Sequence, residues 1–385
     1  MVNGQRNAEQ VPDPIKEESS RTTGQSFLVC IGTYTEYPNP AGGRSKGIYV
    51  YRLNPEDGRL TFVYEMKGVI NPAFLTFHPS GKYLYTVNEV ETFDDQLGGG
   101  VSAFSFDPQT GALAPLNHQL SHGSHPCHLS MDATGQFVFA ANYSGGNIIV
   151  LPVDQDGKLL PATDVVQHHS STTEPQQYKG SHAHSITLDP TNRFAIAADL
   201  GLDMLMVYQF DPLNGKLIPH TWVKVKDGAG PRHLDFHPGG QYAYLINELN
   251  ATMIAYAYDS GEGILRELQT VPTLPEGYIG QKQCADIHVA PSGKFVYGSN
   301  RGHDSIVIYA IDQSSGRLTY AGHQSTQGKT PRNFAIDPSG TFLLAANQDS
   351  STVVTFRIDP DTGKLSPIGQ VTKVPAPACI KILHR

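Results

Sequence analysis

The chain has 385 residues, of which 38 are Gly and 27 Pro, and only 17% are charged. Stretches with a helical hydrophobic period are scarce, so the composition favours many short strands punctuated by turns. A net charge of −8 without a basic run argues against nucleic-acid and anionic-membrane partners, since no clustered cations are present to release counterions.

Residues 1–24 are polar and lack an apolar signal-like core, so they read as a disordered tail ahead of one domain spanning 25–385. No run is long and apolar enough for a membrane span. Cys30, Cys127, Cys284 and Cys379 are too far apart for a disulfide framework or a zinc site. They are expected to be reduced thiols, which suits a cytoplasmic protein.

The first strand-like runs are Phe27–Thr33, Gly47–Leu53 and Leu60–Met66. A complete unit follows, with runs at Ala73–Phe77, Tyr83–Val87, Val101–Phe106 and Leu113–His118. Its first turn, His-Pro-Ser-Gly-Lys-Tyr at 78–83, recurs at Asp132–Phe137, Asp189–Phe194, His237–Tyr242, Ala290–Phe295 and Asp337–Phe342. A second turn of the type Asp-Pro-x-x-Gly-x-Leu occurs seven times, from 54–60 to 359–365. Four strands per unit of roughly fifty residues is the pattern of a propeller blade. Six units are complete. The seventh is expected to form from the three N-terminal runs and a last run at Ala378–Leu383, which closes the ring and removes its open edges. The fold class read from the chain is all-β, a seven-bladed β-propeller with four-stranded blades.

Both short turns lie on one face. The long connections, Tyr34–Lys46, Val90–Gly100, His168–Ser181 and Leu274–Gln283, all fall on the other, where a site is expected. The repeat supplies an internal comparison. Asn88, Asn142, Asp199, Asn247, Asn300 and Asn347 share one position at the end of the second strand and read as turn residues bonding their own backbone. The neighbouring positions vary. They bring His182, His184, Arg232, His233, Glu248, Asp286, Arg301 and Arg332 to the mouth, with His128 and Glu89 nearby. Arg232 and Glu248 stand at the two ends of one hairpin, whose turn at Pro238–Gly240 returns them to the same edge.

Arginines suit an anionic substrate, and His or Glu can move protons near neutral pH, more so if burial raises the Glu. No serine nucleophile elbow or activated cysteine is present, which argues against acyl-enzyme chemistry. His182 and His184 form an H-x-H pair, but a third metal ligand is lacking and arginines crowd the position, so no metal is assigned. A ligand site for an anionic substrate and a bare polar rim are the two readings open on the residues alone.

The segment GAGPRHLDFHPGGQYAYLINELN (228–250), with SHAHSITLDP (181–190), ADIHVAPSGKFVYGSNRG (285–302) and TPRNFAIDPSG (330–340), resembles the propeller-type 6-phosphogluconolactonase family from about Phe27 onward. The fungal carboxy-muconate cyclases belong to the same superfamily. The resemblance implies a cofactor-free, metal-independent enzyme acting on a small lactone that carries an anionic group. It places catalytic roles on His184, Arg232, Glu248 and Arg301. The other mouth residues, His182, His233, Asp286, Arg332, His128 and Glu89, are expected to bind substrate. Its first implication is hydrolysis of 6-phospho-D-glucono-1,5-lactone; a muconate cyclase and a non-catalytic binding platform are the alternatives. A monomer is compatible with the closed ring.

Overall fold

The computed structural model describes Met1 and residues 26–36, 45–169 and 180–383. The expected tail, Met1 apart, and the centres of two long loops (37–44 and 170–179) lie outside the described residues.

Seven four-stranded antiparallel sheets form a ring, and no helix occurs among the described residues. Blade 1 begins with the strand Leu75–Phe77, and blades 2 to 6 with Pro126–Met131, Ala183–Leu188, Pro231–Phe236, Gln283–Val289 and Pro331–Ile336. Blade 7 is composite. Its innermost strand, Pro377–Ile382, pairs antiparallel with Phe27–Thr33, which pairs outward with Gly47–Leu53 and then Leu60–Lys67. The two ends of the chain therefore close the ring, as expected.

Between blades the core is apolar: Tyr85, Phe139, Tyr244, Tyr297, Phe334 and Phe356 are essentially inaccessible. The two repeated turns meet there. In six of the seven second turns the glycine sits against the aromatic anchor of the preceding blade, as Gly58 does on Phe342, Gly157 on Tyr83, Gly215 on Phe137, Gly263 on Phe194, Gly316 on Tyr242 and Gly363 on Phe295; Gly111 instead meets Val50, Val63 and Leu28. The glycine is thus required twice, for its backbone angle and for the ring lying on it. At Gly263 φ is +65°, and an added Cβ would stand 2.5–2.8 Å from three carbons of Phe194. Gly263→Ala is expected to lose about 2–4 kcal/mol, combining left-handed strain with overpacking. Urea denaturation checks this; a parental midpoint would refute the lock.

One expectation is corrected. The Asn ending each second strand does not bond its own backbone through its side chain. The Nδ2 atoms of Asn88, Asn142, Asn300 and Asn347 donate to the carbonyls of Ile70, Ser121, Thr273 and Thr326 at 2.8–3.1 Å. These carbonyls belong to the linker arriving from the preceding blade, which has no ladder partner there and needs a donor. In blade 3 the position is Asp199, which cannot donate. His168 supplies the donor instead, through Nδ1 to Asp199 Oδ2 at 2.7 Å.

Candidate active site

The innermost strands begin at the mouth of the channel, and almost all begin with the same irregularity. In blade 4, Pro231 pairs with Asn247 and His233 with Ile246, so Arg232 is left out as a bulge. Cys127, His184, Arg332 and Ala378 are skipped in the same way in blades 2, 3, 6 and 7. In blade 5 the bulge falls at Ala285 and Asp286. A bulge re-aims one side chain out of the alternation. This ring of bulges lets consecutive residues such as Arg232 and His233 both serve the channel, which a regular strand could not do. The bulges went unread in the sequence. Consecutive polar residues at the start of otherwise apolar strands (His184-Ser185, Arg232-His233, Arg332-Asn333) were the available signal.

Glu248 is the centre of the mouth. Its backbone is held between blades, with its N–H donating to Gly230 and its carbonyl accepting from Cys284 N at 3.1 Å. Its carboxylate receives Arg232 Nε on Oε2 and Arg301 Nη2 on Oε1, each at 2.9 Å. His184 Nε2 lies 3.9 Å from Oε2. The four residues assigned catalytic roles from the resemblance therefore come together, drawn from blades 3, 4 and 5. Arg232 is 2% exposed, and its Nη1 is further bound to the Ala285 carbonyl and to His233 Nε2 at 3.2 Å. Arg301 Nη2 also donates to Cys284 O at 2.9 Å, while its Nε is buried without a partner.

The other expected residues divide into two groups. Arg332 and Glu89 lie at the rim, 3.9 Å apart, with Arg332 over the Tyr34 ring and the Tyr34 hydroxyl donating to Glu89 at 2.7 Å. His182, one residue before its strand, stacks on Tyr143, against whose ring edge His184 also packs. Below the clamp lie His233, His128 and Asp286. The rings of His184, His233 and His128 follow one another at 5.2–5.3 Å, and His233 Nδ1 meets Asp286 at 2.7 Å. Tyr34, Tyr143 and Cys127 were not among the expected site residues; Cys127 Sγ lies 3.7 Å from His184 Nδ1.

Electrostatics gives these groups distinct characters. Burial pushes the Glu248 carboxyl up, but Arg301, Arg232 and Arg332 outweigh it and hold it below its ordinary value. The condition that burial raise the Glu is therefore not met, because the arginines that accompany it outweigh its burial. Burial, reinforced by Arg232 and His233, keeps His184 well below the usual histidine range and hence neutral. His233 is pressed down to about 4 by burial and Arg232, and burial with Arg301 lowers Arg232 to about 10. Burial opposes the charge on Arg332, but Tyr34, Glu89 and Glu248 more than restore it. The mouth thus offers an ionised carboxylate, three guanidinium cations and a neutral imidazole. Among the described residues no group of three or more His, Cys, Asp or Glu is arranged to hold a metal ion.

Fold and mouth together define a closed seven-bladed propeller whose channel entrance is built from arginines, a carboxylate and histidines. The chain belongs to the seven-bladed β-propeller lactonase family, whose model matches residues 28–382. It is 37% identical over 359 residues to a 6-phosphogluconolactonase of Bacillus subtilis, covering 93% of this chain and 99% of that one. A 6-phosphogluconolactonase of Formosa agariphila is 38% identical over 297 residues, 76% of this chain and 82% of the relative. Among solved structures, the periplasmic gluconolactonase of Pseudomonas aeruginosa superimposes with a TM-score of 0.85 at 33% identity, over 93% of this chain and 99% of that one.

Proposed function

We propose that the chain hydrolyses 6-phospho-D-glucono-1,5-lactone to 6-phosphogluconate, a step of the oxidative pentose phosphate pathway. The observation that carries this reading is the neutral His184 beside a carboxylate clamped by two buried arginines, in a chain of the lactonase family. In the reaction, His184 Nε2 takes a proton from water as the water oxygen attacks the lactone carbonyl carbon. The negative charge that develops on the carbonyl oxygen is met by Arg232, whose Nη2 has no partner among the described residues. Collapse of the tetrahedral adduct breaks the bond to the ring oxygen, which receives the proton back from His184. The new carboxylic acid then gives its proton to solvent. Glu248 balances the arginines and the transient imidazolium.

Arg332 suits the phosphate better than Arg301 does. Its side chain is one-fifth exposed and its nearest carboxylate oxygen is 3.9 Å away, whereas Arg301 is tied to Glu248 and Cys284. Arg332→Ala is expected to raise KM for the phosphorylated lactone by about ten- to a hundredfold, the worth of a charge-assisted contact, and to leave unphosphorylated gluconolactone nearly unaffected. Lactone consumption by the purified protein and the variant, with and without chelator, tests the reading. No turnover of the phosphorylated lactone alongside turnover of a carboxy-muconate would replace it with the cyclase. Cytoplasmic location is part of the same reading, supported by four buried, unpaired cysteines.

A further inference from the structure

Beneath the clamp lies a buried chain of side chains that the hydrolysis does not use. We infer that Asp286 is a positioning residue for Arg232, acting through the tautomer of His233. The inference rests on the role of Arg232 proposed above.

Arg232 Nη1 can only donate, so at 3.2 Å His233 Nε2 must be a bare acceptor. The His233 ring proton is then on Nδ1, where it meets Asp286 Oδ1 at 2.7 Å. The other carboxylate oxygen of Asp286 receives three donors: His288 Nε2 at 3.0 Å, Asn333 Nδ2, and Phe334 N at 3.3 Å. Asn333 is itself fixed, since its Oδ1 accepts from Ile380 N at 2.7 Å. All four donors need an acceptor, and only a carboxylate turns an acceptor to both sides. Asp286 is 2% exposed and His233 6%, so water does not substitute for either. The carboxylate therefore dictates which nitrogen of His233 is bare, and that nitrogen helps orient Arg232. Burial works against the charge on Asp286, but His288 and His233 pull its carboxyl well below the usual range, so it stays ionised.

Asp286→Asn is nearly isosteric and makes the test sharp. The amide oxygen is expected to turn toward the three donors, which leaves the amide NH2 facing His233 Nδ1. His233 then carries its proton on Nε2, opposite an Arg232 N–H, and two donors confront each other. With histidine and arginine labelled with 15N, the two ring nitrogens of His233 are expected to exchange their protonated and bare signatures. The Arg232 Nε–H resonance is expected to move, and kcat/KM to fall by about ten- to a hundredfold, as for other side chains that orient a functional group. His233→Phe, which fills the space but accepts nothing, is expected to lose a similar factor. His233→Gln, which can accept from Arg232 while donating to Asp286, is expected to lose far less. An unchanged tautomer in Asp286→Asn, a tautomer exchange without loss of activity, or a fully active His233→Phe would each overturn the inference. A parent protein inactive on every lactone would defeat the functional reading alone. The His233 tautomer and the Arg232 resonance would then still decide whether Asp286 positions Arg232.

Discussion

Glu248→Gln is expected to lower kcat/KM by at least about a thousandfold, and to do so while destabilising the fold. The kinetic part follows from what the carboxylate holds. Arg232 and Arg301 both donate to it at 2.9 Å, so its removal frees the cation that meets the developing oxyanion, and loss of one such donor costs about 10²–10³. It also removes the charge that would balance the His184 imidazolium. The thermodynamic part follows from burial. Arg232 is 2% exposed, so loss of its partner leaves a buried charge without a counterion, which costs roughly 3–5 kcal/mol. The sign with pH is fixed as well. The folded-state pKa of Glu248 lies below its ordinary 4.5, so its stabilisation is complete above that pH and is lost as pH falls through the lower folded value. The parent should therefore lose stability in acid more steeply than the Gln variant. Denaturant midpoints at neutral pH and below pH 4 check this, together with the lactone assay. A variant with parental activity would remove Glu248 from the site.

The fold was legible because the repeat is periodic. Seven turns of one kind and six of another leave little choice of architecture once each unit has room for four strands. The reason for the glycines was only half legible. Their positive φ follows from the turn type, but the ring of Phe194 lying on Gly263 is a contact between blades that no single unit reveals. The same limit explains the error over the terminal Asn. Read within one blade, its side chain has its own backbone to bond; in the ring, a closer carbonyl arrives from the blade before.

The site was legible where it departed from the repeat. Arg232, Glu248, His184 and Arg301 stood out because they occupy positions that vary from blade to blade, and they do meet in space. Depth was not legible. A strictly alternating strand treats His233 and Arg232 as facing opposite ways, and only the bulge between Pro231 and His233 shows that both serve the channel at different levels. Charge balance was also hidden. The sequence shows three arginines near one Glu, but which of burial and attraction prevails depends on the 2.9 Å contacts.

His184→Ala should slow kcat by about 10²–10⁴, the usual share of a general base, with little change in KM. The imidazole is 4% exposed, and its Nε2 is 3.9 Å from the nearest oxygen of Glu248, too far for a direct bond. It is therefore not held by the clamp and remains free to accept a proton. Burial, Arg232, His233 and Arg332 together depress its pKa. A base held neutral in this way has no acidic limb near the ordinary histidine value. The parent's kcat/KM should accordingly stay flat as pH falls through 6.5 and decline only in more acid solution. Added imidazole should restore part of the activity of the Ala variant, since the space vacated lies beside the channel mouth. The pH profile separates this assignment from its rival. If water were activated by Glu248 alone, His184→Ala would retain nearly parental kcat, and imidazole would change nothing. A limb centred near pH 6.5 in the parent would instead show that the imidazole is charged in the free enzyme, and that the arginines do not govern it.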